Sequence, residues 1–193
     1  MGITRAFLIH GSFSKLEDTW IPWLRRKLQA EKIKVSVPSL PLAGDLSLYA
    51  WLESFRECRE MVDKDCVMVG HGLGSTFILR YLEHSDDRIS AAFLTAPFFG
   101  ELGDNERDKA NKTFVEKEFD WKRIKGRCAQ FYVYGSDDDP YVPLEQEEQI
   151  SDRLDATLRI LPARTELIAA SRASCVASIN FECFPERSTV TAQ

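Results

Sequence analysis

The chain has 193 residues, of which 44% are hydrophobic and 28% are charged, a composition typical of an ordinary globular domain. Its net charge of −5 argues against a nucleic-acid or anionic-membrane partner, and no apolar run approaches the ~20 residues of a membrane span. The five cysteines show no C-x-x-C spacing, which argues against a disulfide scaffold or a zinc site. No metal or other cofactor is expected. Because no signal-peptide pattern follows Met1, we expect a cytoplasmic protein.

The first third of the chain predicts two strands and two helices. Arg5 to His10 is typical of a first strand, and Val35 to Val37 of a short second strand, with a helix between them that ends near Ala30. Leu46 to about Val62 predicts a second helix, because its apolar residues recur at spacings of three and four: Trp51, Phe55, Cys58 and Val62.

The alternation continues through the rest of the chain. The predicted strands are Cys66 to Val69, Ile89 to Thr95, Cys128 to Tyr134 and Ala156 to Leu161, and helices are expected from Phe77 and after Pro143. Residues 99–119 are highly charged and indicate a surface excursion or partial lid. The pattern predicts an α/β fold with three layers, a mainly parallel sheet flanked by helices. We expect residues 1–161 to form this domain and residues 162–193 to be a divergent tail of it.

A glycine-rich turn lies between the strand at Cys66 and the following helix. It reads Gly70-His71-Gly72-Leu73-Gly74, with glycine at its first, third and fifth positions. In the G-x-S-x-G nucleophile elbow the middle residue is a serine presented at the top of an α/β sheet. Here Gly72 stands in the middle, so the frame of an elbow is present without its nucleophile. The alternative is a glycine-rich turn that holds a phosphate at a helix N-terminus.

Two further stretches follow strands and should reach the same edge of the sheet. Gly11, Ser12 and Phe13 follow the first strand, and their backbone N–H groups could form an oxyanion hole together with that of Leu73. The stretch from Asp137 to Pro143 follows a late strand, where an α/β-hydrolase holds the carboxylate that orients histidine. The alternatives are an ordinary strand-to-loop turn and a surface turn with crowded charges.

The chain resembles the small serine hydrolases of the retinoblastoma-binding-protein-nine type, which have the α/β-hydrolase fold. The resemblance runs from about residue 4 to 161, over Phe7 to Gly11, Trp20 to Leu28, Val37 to Pro41, Val69 to Gly74, Phe119 to Lys125 and Gly135 to Pro143. It implies a triad of serine, aspartate and histidine. The serine position falls on Gly72, and the aspartate matches Asp139 best, with Asp138 as the alternative.

The family's histidine follows the last strand in a Gly-His-Phe stretch, whereas this chain has Pro162 to Thr165 there and no histidine after His84. His10 is then the one plausible surrogate base. The resemblance implies hydrolysis of a small ester or amide through an acyl-serine, but the chain as written predicts a catalytically impaired member. One alternative is a pseudoenzyme that binds a small molecule or a protein partner. Another is an altered reading frame across residues 160–193.

Overall fold

The structure is a computed structural model that describes residues 2–12, 20–42 and 46–161. In this part of the chain the strands are β1 (Arg5–Ile9), β2 (Lys34–Ser36), β3 (Cys66–His71), β4 (Ile89–Thr95), β5 (Cys128–Ser136) and β6 (Thr157–Leu161). They form one sheet in the order β2-β1-β3-β4-β5-β6, and every neighbouring pair is parallel. The predicted parallel sheet is confirmed.

The helices connect these strands. They are α1 (Ile21–Ala30), α2 (Leu48–Arg59), α3 (Leu73–His84), α4 (Asn105–Val115), α5 (Trp121–Lys125) and α6 (Leu144–Leu154). The second helix is shorter than the predicted Leu46 to Val62, because Ser47 caps it by accepting the N–H of Ala50. No helix among the described residues is both long enough and apolar enough to span a bilayer.

Hydrophobic side chains cover both faces of the sheet. Alternate residues of a strand point to opposite faces, and β3 shows this directly. Val67 and Val69 belong to the buried cluster that contains Leu24 of α1. Met68 belongs to the cluster on the other face, which draws its helical members, such as Phe77, from α2 to α6. The three predicted layers are therefore α1, the sheet and the remaining described helices.

Two predicted strands are too short at their carboxyl ends. β3 continues past Val69 because Gly70 and His71 still pair with β4, and β5 continues past Tyr134 to Ser136. In both cases a glycine interrupts the apolar run that marked the strand, although its backbone stays in the ladder. Both extensions lead directly into turns that the sequence predicts to be functional, those after β3 and β5.

The segment 99–119 was predicted as a surface excursion, and the structure places the eleven-residue helix α4 within it. Its buried residues are Asn111 and Phe114, too few to give a helical hydrophobic pattern. Asp104 caps the helix by accepting the N–H groups of Glu106 and Arg107.

A buried arginine of α3 fixes the segment that follows α4. The guanidinium group of Arg80 donates to the carbonyl oxygens of Phe114, Lys117 and Glu118 and forms a 2.7 Å ion pair with Glu83. It also lies 3.4 Å from the centre of the Phe119 ring. These contacts tie the charged segment to the core. Residues 162–193 lie outside the described residues, so the predicted domain division at residue 161 stays a prediction.

Candidate active site

A cavity of about 280 Å³ opens at the carboxyl edge of the sheet. Its walls come from the turns after β1, β3, β4 and β5 and from α4. The strand order places β1 beside β3, and the connections leave these two strands in opposite directions. Ligands of open α/β sheets bind at such a switch point. The cavity therefore lies where the topology of the sheet favours a binding site.

The three glycines of the turn after β3 have different roles. A Cβ atom at Gly74 would lie 2.5 Å from the carbonyl oxygen of Ile9, and one at Gly70 would lie 2.6 Å from the backbone nitrogen of Ser75. Both contacts are with backbone, so the close packing of β1, β3 and α3 requires glycine at these two positions. A Cβ atom at Gly72 would meet nothing within 4 Å.

Gly72 is nevertheless in a conformation that other residues rarely adopt. Its φ is 55° and its ψ is −121°, and its N–H donates to the Thr95 carbonyl oxygen of β4 at 2.9 Å. A side chain at this position would have room in the cavity but would carry backbone strain.

The first turn of α3 borders the cavity. Leu73 is the first residue of this twelve-residue helix and lines the cavity, and an N–H group at that position has no acceptor within the helix. The helix dipole adds partial positive charge at the same end. Gly11 and Ser12 also line the cavity, whereas Phe13 lies outside the described residues. The described residues of the predicted oxyanion hole thus line one cavity together with Gly72, and their role stays a prediction.

The two candidate aspartates are placed differently. Asp139 lines the cavity, and its Oδ1 accepts the N–H groups of Tyr141 at 2.8 Å and Val142 at 3.1 Å. Asp138 does not line the cavity, and its Oδ1 accepts the Ser136 hydroxyl at 2.6 Å. The structure therefore brings Asp139 to the site and leaves Asp138 in the supporting turn.

His10, the expected surrogate base, is not among the residues that line the cavity. It is 5% exposed, its ring packs edge-on against Trp51, and its Nδ1 lies 2.8 Å from the Gly11 carbonyl oxygen. His71 lines the cavity instead. Burial lowers the pKa of His71 and so favours the neutral imidazole, and the Asp139 carboxylate opposes this change.

Two other nucleophilic side chains near the turn face away from the cavity. The Ser75 hydroxyl is fully buried and donates to the Thr95 carbonyl oxygen at 2.9 Å. Cys66 is buried at the start of β3, where burial raises the pKa of its thiol to about 12. Neither residue supplies a nucleophile to the site.

Two polar residues of the cavity, Arg107 and Asn111, belong to α4, a helix that the sequence pattern did not predict. The Arg107 guanidinium lies 3.9 Å from the centre of the Tyr141 ring, and its Nε is 3.4 Å from the Asp104 carboxylate. Asn111 is 3% exposed, and its Oδ1 has no hydrogen-bond partner among the described residues. The available signals were the capping residue Asp104 and the spacing of four between the two side chains, which places both on one helix face.

Comparisons with known proteins agree with this architecture. The family model described as serine hydrolase matches residues 6–173. Serine hydrolase RBBP9 of Rattus norvegicus is 29% identical over 143 residues, which cover 72% of this chain and 73% of the relative. The YdeN protein of Bacillus subtilis strain 168 is 26% identical over 156 residues, 80% of each chain. The crystal structure of the B. subtilis ydeN gene product covers 95% of this chain and 100% of its own, with a TM-score of 0.83 at 22% identity.

The family match spans most of the chain, and the described fold is that of its structural relative. The chain therefore belongs to the serine hydrolase family, as a small α/β-hydrolase of the RBBP9 type.

Proposed function

We propose that this protein keeps the ligand pocket of a small serine hydrolase but does not form an acyl-serine. The observation that carries the proposal is Gly72. It occupies the turn where a G-x-S-x-G motif presents its serine, in the strained conformation of such a turn, with open space where the side chain would project.

The chemistry of acyl transfer needs three groups that act as a unit. A hydroxyl attacks the carbonyl carbon, a histidine accepts the hydroxyl proton, and a carboxylate orients the histidine. Asp139 is available as the carboxylate, but position 72 has no hydroxyl and the sequence has no histidine after His84. Without the first two groups, neither the attack nor the proton transfer has a residue to perform it.

The parts of the cavity that bind rather than react are still present. Leu73 has a backbone N–H that could donate to a carbonyl oxygen, and the hydrophobic residues Phe98 and Val142 also line the cavity. A volume of about 280 Å³ suits a small ester, amide or acid better than a segment of a protein partner. A small-molecule ligand is therefore the favoured occupant.

Labelling with a fluorophosphonate, which reacts with activated serines, tests the proposal. We compare the wild type, Gly72→Ser, and Gly72→Ser joined to a C-terminal segment with Gly-His-Phe after Leu161. We expect no labelling of the wild type and little of the single variant, because the new hydroxyl stays at its weakly nucleophilic pKa. The variant with the grafted histidine should react.

Strong labelling of the wild type would overturn the proposal. Strong labelling of Gly72→Ser alone would instead mean that another base serves position 72. His71 is the first candidate for that base because it lines the cavity, which His10 does not.

A further inference from the structure

Exposed charges of opposite sign are concentrated on two helices at opposite ends of the sheet. α1 contacts β1 and β2, which begin the strand order, whereas α6 contacts β5 and β6, which end it. The two helices also pack on different faces of the sheet, since Leu24 of α1 and Ile150 of α6 belong to different hydrophobic clusters. The width of the domain therefore separates them, and they do not neutralise each other within one molecule.

The first surface, the basic face, lies on α1, the turn after it and the start of β2. Between Trp20 and Val37 the one acidic residue is Glu31. None of the cations of this face belongs to an ion pair within the described ranges. The chain has a net charge of −5, so this accumulation of positive charge is a local exception. The basic face consists of five exposed residues: Arg25, Arg26, Lys27, Lys32 and Lys34.

The second surface, the acidic face, consists of Glu145, Glu148 and Asp152 on α6. All three are exposed, and spacings of three and four place them on one side of the helix. They too are absent from the ion pairs of the described part of the chain. Arg153 is the one cation of α6, and its guanidinium lies over the Phe99 ring, 4.6 Å from the ring centre.

The helix dipole does not account for the whole acidic face. A carboxylate in the first turn of a helix is stabilised by the dipole, which suits Glu145. Asp152 lies in the last turn of α6, where the same dipole disfavours a negative charge. A positively charged partner would stabilise all three carboxylates, and the basic face has the charge that such a partner needs.

We propose that the basic face of one molecule binds the acidic face of a second copy of this chain. The contact joins two different surfaces, so it is head to tail and leaves each terminal copy with one free face. Neither face contributes a residue to the cavity, which stays open in the associated form. The inference is therefore independent of the proposed function.

The two surfaces match in length but are small. α1 has ten residues and α6 has eleven, so each helix is about 15 Å long. Two helices of this size offer much less area than the ~800 Å² per partner of a stable complex. We therefore expect a weak association that depends on charge rather than on apolar burial.

Sedimentation velocity of the wild type at two ionic strengths tests this dependence. We expect self-association to weaken about tenfold or more between about 0.01 M and about 0.15 M salt, because the Debye length falls from about 30 Å to about 8 Å. A wild type that stays monomeric at the lower salt concentration, at up to about 1 mM protein, would overturn the inference. If that monomer instead bound phosphatidylserine vesicles, the basic face would belong to a membrane contact and the inference would be wrong.

Two triple variants assign the faces. The first neutralises the basic face with Arg25→Gln, Arg26→Gln and Lys32→Gln, and the second neutralises the acidic face with Glu145→Gln, Glu148→Gln and Asp152→Asn. Each variant alone should lose the low-salt association. The matched control, Lys64→Gln with Arg88→Gln and Lys122→Gln, removes the same number of exposed positive charges elsewhere and should associate like the wild type.

Mixing the two triple variants gives the sharpest result. The first keeps its acidic face and the second keeps its basic face, so the mixture can form one contact of the wild-type kind. We expect a complex of one copy of each variant that grows no further. A mixture that stays monomeric, or a triple variant that associates like the wild type, would contradict the assignment. The salt series on the wild type decides the inference even if a variant does not fold.

Discussion

At the scale of single residues, Glu147 is notable because its carboxyl group is buried away from water. It is fully buried in α6 and packs against Gly135, where no side chain could be accommodated beside it. Neither carboxyl oxygen has a hydrogen-bond partner of good geometry among the described residues. Burial, and then the Asp139 carboxylate, raise the pKa of Glu147 to about 9, and the backbone of Ser136 opposes this only in part.

We expect Glu147→Gln to change how stability depends on pH. In the wild type the folded state keeps the proton up to a pKa of about 9, whereas the unfolded chain releases it near 4.5. The contribution of this carboxyl group to stability therefore falls as pH rises between those values, by up to ~1.4 kcal/mol per pH unit. Glutamine does not ionise, so the variant should gain stability relative to the wild type across this window.

Urea unfolding at pH 5, 6, 7 and 8 measures this difference. Glu145→Gln is the matched control, because Glu145 is an exposed glutamate on the same helix and its substitution should leave the pH dependence unchanged. If the free energies of unfolding of Glu147→Gln and the wild type changed in parallel with pH, this carboxyl group would not be held protonated by the fold.

Gly72→Ser should destabilise the protein by roughly 1–3 kcal/mol, the usual cost of a residue held in a sparsely populated backbone conformation. The φ of 55° is the reason, since a side chain here would meet nothing within 4 Å. Denaturant midpoints of the two proteins give the difference. Gly2→Ser, at an exposed position that also has open space, should be neutral. An unchanged midpoint for Gly72→Ser would show that the turn is not strained.

At the scale of the elements, α3 has two tasks. Its N-terminus forms the floor of the cavity, and its middle carries Arg80, which holds the segment after α4 by its backbone carbonyl groups. The position of α4 over the cavity therefore depends on the charged side chain of Arg80, which is 3% exposed. Its ion-pair partner Glu83 has a side chain that is 12% exposed.

We expect Arg80→Met to lower the free energy of unfolding by about 3 kcal/mol or more, because it removes the buried charge partner of Glu83 and the side-chain donor to three carbonyl groups. The control is Arg56→Met, which breaks an ion pair of the same i,i+3 spacing with Glu53 on the surface of α2, where the side chains are 76% and 50% exposed. That loss should be within about 1 kcal/mol. Similar losses in chemical denaturation would mean that Arg80 does not anchor the segment.

Hydrophobic patterning predicts a helix or strand more reliably when more of its residues are buried and hydrophobic. β4 was predicted with its observed limits, because Ile89 to Thr95 is an apolar run that is buried on both faces of the sheet. α4 was missed because it lies on the surface and buries only Asn111 and Phe114. The missing helix explains why Arg107 was overlooked, since an isolated arginine in a charged segment gives no signal of a cavity.

The histidines show a second limit of sequence patterns. Both His10 and His71 lie at the carboxyl end of a strand, and the sequence does not say which one faces the cavity. β1 ends at Ile9, so the alternation of side chains no longer fixes the direction of His10, whose ring packs on Trp51. β3 continues through His71, which lines the cavity and whose ring lies edge-on to that of Trp20.

At the scale of the whole molecule, the two hydrophobic clusters share the same strands. In β1, Phe7 belongs to the hydrophobic cluster that includes residues of α2 to α6, and Leu8 belongs to the cluster that includes residues of α1. Residues on the two faces of the sheet therefore share one strand backbone. Loss of packing on one face should therefore weaken the sheet for both faces. Cooperative unfolding of the domain is the expected result.

Leu24→Ala in α1 tests this coupling. We expect it to cost about 2–5 kcal/mol, as for other fully buried leucines, and to lower a single transition that tryptophan fluorescence and far-ultraviolet circular dichroism report at the same urea concentration. Leu42→Ala, at a leucine that is 40% exposed, is the control and should change little. Two separate transitions in Leu24→Ala would show that the faces unfold independently.

The geometry of the turn after β3 also makes substitution to glycine at position 72 easier than the reverse substitution. At position 72 glycine relieves backbone strain, so a lineage that exchanges the side chain for glycine gains stability at the moment it loses the reaction. Under the proposed function, the reverse exchange restores the strain and gives no reaction without a histidine as well, so substitution is easier towards glycine than away from it. Gly70 and Gly74 meanwhile persist because neighbouring backbone excludes any side chain there. The two outer glycines are thus required by the packing of the turn, whatever residue stands between them.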